Sequence, residues 1–137
     1  PSLEWFTNFD ELPGFEIVDC PGHSDDSRAL VFRDAEDQAV WVAGDAVLDR
    51  EWLTAWGYFW PNGYSRAEIL QTWRSVARIL AADVIIPGHG EPIAVTLELC
   101  AELDARFDLA EYASACQDVR HEIRARMQRF LSVRQPT

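Results

Sequence analysis

The sequence predicts a mixed α/β fold in which helices cover one face of a sheet. Three observations carry this. Short apolar runs with loose two-residue alternation recur through the first half of the chain. A capped amphipathic helix separates the third run from the fourth. Beyond Pro92 the apolar spacing becomes helical and stays so.

The first run, Phe15 to Cys20, stops at Pro21-Gly22 and reads as a strand running into a loop. Arg28 to Arg33 and Gln38 to Ala43 are the second and third strands. The short polar turn Asp34-Ala35-Glu36-Asp37 between them predicts a hairpin. The third strand ends at Gly44-Asp45. Residues 49–65 are irregular: five of the 17 are Trp or Tyr, with one Phe, two Gly and one Pro. Glu51 to Trp56 fits a short turn of helix. The remaining aromatics read either as packed core or as the wall of a binding loop.

Ser65-Arg66-Ala67-Glu68 is a capping box and opens a helix from Arg66 to Leu80. Its apolar face is Ile69, Leu70, Trp73, Val76, Ala77 and Leu80. Asp83 to Ile86 is a short apolar strand stopped by Pro87-Gly88. Leu97, Leu99 and Leu103 share one helix. Leu109, Tyr112, Cys116, Val119, Ile123, Met127 and Phe130 step through another, whose opposite face carries Arg120, Arg124, Arg126 and Arg129. That arginine face reads as solvated and suited to a helix C-terminus.

Composition sets the boundaries of function. The 137 residues suffice for one domain or part of a larger one, and 48% are hydrophobic against 26% charged. Acidic residues number 23 and basic residues 12, a net charge of −11. Every basic residue is Arg. That balance excludes a basic nucleic-acid face. No apolar run has the length of a membrane span. The three cysteines, Cys20, Cys100 and Cys116, form no C-x-x-C pair, which points to a reducing compartment and a cytoplasmic location. The sequence opens Pro1-Ser2-Leu3-Glu4-Trp5, with neither Met nor a signal segment, and reads as a processed or truncated start.

Three polar residues stand at the ends of predicted strands, each beside a glycine: His23, Asp45 and His89. Imidazole and carboxylate are ligands for zinc, and also for iron or manganese. Singly, each reads more readily as a hydrogen-bonded structural or turn residue than as a ligand. Taken in order, Pro21-Gly22-His23-Ser24, Gly44-Asp45-Ala46 and Pro87-Gly88-His89-Gly90 resemble the C-terminal half of the metallo-β-lactamase fold family of metallohydrolases. The resemblance covers residues 13–93.

The resemblance implies the C-terminal portion of an αββα sandwich over residues 1–93, with residues 94–137 a helical extension packed on it. It implies two zinc ions in the intact protein. His23 would complete the ligands of the first, Asp45 would bridge both and act catalytically, and His89 would bind the second. A metal-bound water would ionise near neutral pH and attack a carbonyl or similar electrophile. The implied activity is hydrolysis of a small-molecule ester, thioester, lactone or amide. Asp19, Asp25 and Asp26 are nearby carboxylates, read as acceptors orienting a ligand histidine or as solvated loop acids. Trp56, Tyr58, Trp60 and Tyr64 follow Asp45 and are the candidates for a substrate wall.

The family's main ligand motif, His-x-His-x-Asp-His, does not occur in this chain, and His121 matches no family role. The expectation is therefore an inactive half of a catalytic domain. Its partner would be the missing N-terminal half or a second copy, through an exposed strand edge and an apolar face. Two other readings remain: an iron-dependent oxidoreductase on the same fold, and a non-catalytic interaction domain with a partial metal site.

Overall fold

The computed structural model describes residues 14–22, 27–56 and 65–134. Its first organising unit is the expected hairpin. Arg28–Arg33 (β2) and Ala39–Gly44 (β3) pair antiparallel, with Leu30 opposite Val42 and Phe32 opposite Val40. The Asp34 carboxylate accepts from the backbone N–H of Glu36 and Gln38, and Asp37 takes the left-handed conformation that Asp tolerates. Phe15–Asp19 (β1) pairs antiparallel with β2.

After β3 the chain forms a short helix, Arg50–Ala55 (α1), and then Arg66–Ile79 (α2). The Ser65 hydroxyl accepts from Glu68 N–H while the Glu68 carboxylate accepts from Ser65 N–H, so the capping box is complete. The crossover through α2 brings Val84–Pro87 (β4) parallel to β3, and Ile93–Ala94 (β5) closes the sheet antiparallel to β4. The order is β1-β2-β3-β4-β5. Leu97–Phe107 (α3), a 3-10 turn at Ala113–Ala115 and Gln117–Arg134 (α4) follow. The mixed α/β sheet and the C-terminal helices are as the sequence predicts.

Three details differ. β5 is a strand where the pattern beyond Pro92 predicts helix. Ile93 and Ala94, on either side of the division expected at residue 93, both lie in it. Leu109 and Tyr112 lie in turns ahead of α4 rather than within it, and Leu109 is exposed. The arginine face is not simply solvated. Arg120 is 15% exposed and bonds the carboxylates of Asp104 and Asp108. Arg126 is 14% exposed and donates to the carbonyls of Leu80 and Ala82.

The register gives the sheet two unlike faces. Val18, Ala29, Trp41, Ala43, Ile85 and Ile93 meet the helices in one core with Val76, Leu103 and Ile123. At its centre the indoles of Trp56 and Trp73 and the ring of Phe107 stack edge to face, with centroids 5.2 to 6.1 Å apart. The other face carries two apolar rows, Phe15-Phe32-Val40-Val84 and Ile17-Leu30-Val42-Ile86. None of these eight belongs to that core.

Candidate metal centre

Strand direction places the ends of the three strands that lead into the motifs on one side of the sheet. β1 and β3 are each antiparallel to β2, and β4 is parallel to β3, so β1, β3 and β4 all end on the same side of the sheet. Pro21-Gly22 follows β1, Asp45 follows β3 and His89 follows β4. The carboxyl ends of neighbouring strands are where open α/β sheets collect ligand-binding groups.

Asp45 and His89 are brought together by backbone. The register of β3 against β4 shifts between Val42 and Gly44, and Gly44 adopts φ +56. The turn then closes with Ala46 N–H on the Ala43 carbonyl and Val47 N–H on the Gly44 carbonyl. The loop after β4 zips onto it: Gly88 N–H donates to the Val47 carbonyl at 2.9 Å and His89 N–H to the Leu48 carbonyl at 2.8 Å. As a result His89 Nε2 stands 4.0 Å from Asp45 Oδ1, both side chains more than half exposed. A Cβ at Gly88 would fall against Asp45 Oδ1 and 3.0 Å from the Gly44 carbonyl oxygen, so the two loops pack closest where there is no side chain.

The first motif is anchored differently. Gly22 lies against α2 so closely that any Cβ would overlap Thr72. The Ser75 hydroxyl donates to the Pro21 carbonyl at 2.6 Å. Arg78 Nη1 donates to the Asp19 carbonyl at 2.8 Å. α2 thus fixes the chain as it leaves β1. His23, Asp25 and Asp26 lie outside the described residues, as do Tyr58, Trp60 and Tyr64.

Asp19 is at the right edge but is engaged with Arg28 at 3.4 Å. Trp56 is 1% exposed, its indole N–H donating to the Leu103 carbonyl at 3.0 Å, and it serves as core. Cys20, next to the first motif, is fully buried, and burial raises its thiol pKa. It does not join the donor set. Sequence reasoning passed over Asp49, whose carboxylate accepts from Trp52 N–H at 2.7 Å and caps α1. The signal was legible: an Asp three residues before Trp52. Beside it, Asp49, Glu51, Glu91 and Pro92 line a groove of about 450 Å³ next to the His89 loop.

A protein-bound zinc takes three or four side-chain ligands. Asp45 and His89 are suitable donors in type and proximity. Among the described residues no cluster of three His, Cys, Asp or Glu could hold a metal ion. Asp45 and His89 by themselves fall short of that number. No family model, curated protein or solved structure matches the chain. Among the described residues no helix is long and apolar enough to cross a membrane.

Proposed function

We propose that this chain is the C-terminal, metal-binding half of a metallo-β-lactamase-fold metallohydrolase. The observation that carries the reading is the approach of His89 to within 4.0 Å of Asp45 at the shared ends of β3 and β4. The end of β1, which leads to His23, lies on the same side of the sheet. In this reading His23, Asp45 and His89 are ligands, and the remaining ligands come from a His-x-His-x-Asp-His segment that this chain does not contain.

Bound divalent metal, zinc in the first instance, would supply a Lewis acid and a water of lowered pKa. The chain's own contribution is positional. The two backbone bonds between the loops hold the carboxylate and the imidazole at one edge. A net charge of −11 with no Lys favours a small-molecule ester, thioester, lactone or amide over a nucleic-acid substrate.

Cobalt titration followed by visible absorption tests the reading. The chain alone should bind cobalt weakly, Asp45→Ala and His89→Ala should each abolish that binding, and ester and thioester turnover should be at background. Binding unchanged by both substitutions overturns the metal assignment. Tight stoichiometric zinc with turnover by this chain alone overturns the half-site.

A further inference from the structure

The approach of His89 to Asp45 is made by backbone, and one side chain holds that backbone in place. We propose that Asp49 is the positioning residue for His89: by capping α1 it fixes the carbonyl on which the His89 loop hangs. The proposal rests on the metal reading of Asp45 and His89 given above and adds what keeps the two in reach.

Among the described residues no hydrogen bond fixes the His89 imidazole, which is 71% exposed and stands 4.0 Å from Asp45. Its place therefore follows its backbone. The His89 N–H is tied to the Leu48 carbonyl at 2.8 Å, beside the bond from Gly88 N–H to the Val47 carbonyl at 2.9 Å. The two acceptors are held unequally. Val47 is fully buried, and its own N–H closes the turn on the Gly44 carbonyl. Leu48 is half-buried and lies one residue beyond that turn.

Asp49 pins Leu48 from the other side. Its backbone is extended, its carboxylate accepts from Trp52 N–H at 2.7 Å, and its carbonyl accepts from Leu53 N–H at 3.0 Å. α1 has six residues, too few to be stable by itself, so its first turn depends on that cap. The far end of α1 is anchored separately, because Trp56 is packed in the core. Asp49 also abuts the turn after His89: its Cβ lies 3.4 Å from where a Cβ on Gly90 would stand. A cap needs an oxygen acceptor rather than a charge, and Asn serves as well as Asp. That separates positioning from attraction of a metal by the carboxylate.

Cobalt titration and amide hydrogen exchange on the full chain, read together, test the proposal. Asp49→Ala should weaken cobalt binding about fivefold and speed exchange at the His89 amide by a similar factor, the effect of one lost cap. Asp49→Asn should restore both. Thr96→Ala is the control. It removes the cap of α3, which follows β5 at the opposite end of β4, and should change neither.

Asp49→Ala without effect on His89 exchange overturns the proposal. So does Asp49→Asn behaving like Asp49→Ala, which assigns the loss to charge, or Thr96→Ala matching Asp49→Ala, which assigns it to global stability. Faster exchange with cobalt affinity unmoved, where Asp45→Ala and His89→Ala do abolish binding, overturns it as well. If cobalt binding survives Asp45→Ala and His89→Ala, the metal reading falls, and the exchange comparison alone upholds or overturns the hold on His89.

Discussion

Gly88 gives the Asp45 carboxylate the space that any side chain would take. The glycine carries no conformational demand of its own beyond this close approach. Gly88→Ala should therefore swing the half-exposed Asp45 carboxylate aside and press on the Gly44 carbonyl at 3.0 Å, straining the Gly88 bond to Val47. The expected cost is about 1 kcal/mol, because the closest atom is the free end of a side chain and only the backbone contact resists. Urea denaturation checks it, and an unchanged midpoint would show that the two loops part freely.

Trp56 is the second test, because its indole is both packed and bonded. Trp56→Phe keeps much of the ring contact with Trp73 and Phe107 but removes the indole donor from the Leu103 carbonyl, which keeps its place in the α3 ladder. That should lower stability by about 0.5–1.5 kcal/mol. Trp56→Ala should cost about 3–5 kcal/mol. Stability unmoved by either change would contradict a core role and return Trp56 to a binding surface.

Acid should loosen α4 in a defined window. The Arg74 guanidinium bonded to Asp118, and that of Arg120 bonded to Asp108, hold both carboxyls below the ordinary range. Lowered carboxyls contribute stability that is complete above the unfolded value of about 3.9 and is lost as pH falls through the folded value. Melting temperature should therefore be flat near neutrality and begin to fall below about pH 4. Asp118→Asn should lower the plateau and flatten the acid limb. Exposed pairs contribute little each, so the change is expected to be small.

The cysteines should be silent in the folded protein. Cys20, Cys100 and Cys116 are buried, burial raises all three thiol pKa values, and that of Cys116 goes up to about 11. An aromatic disulfide reagent near pH 8 should react slowly with native protein and rapidly, with three equivalents, in denaturant. Fast native reaction of one thiol would identify an opening that the packed core does not contain.

How much of this was legible in the sequence depended on the range of the interaction. The capping box and α2 were readable because Ser65 and Glu68 bond each other three residues apart. The hairpin was readable from the Asp34–Asp37 turn. β5 was not, because two residues show no alternation, and their pairing to Val84 and Ile85 is set by the turn at Gly88–Pro92. Leu109 and Tyr112 continued a helical spacing that the turns at Asp108–Tyr112 do not keep. Arg120 and Arg126 looked solvated because their acceptors lie on other elements. For Arg126 these are 44 and 46 residues back.

At the site the motifs themselves were visible, since each follows a strand. The approach of His89 to Asp45 was not. It needs β3 and β4 to lie side by side and point the same way, which the α2 crossover brings about. The steric role of Gly88 was likewise invisible, because the atom it makes room for sits 43 positions earlier.

The hold of Arg126 on the chain ahead of β4 has a practical consequence for anyone dissecting this protein. Leu80 and Ala82 are buried, and α4 supplies donors to their carbonyls. A shortened version ending before Gln117 would lose these donors together with Val119 and Ile123, and would bare the apolar core beside the strand that leads to His89. The boundary of a minimal folding unit therefore lies beyond Arg126, and trimming for crystallisation should begin past it.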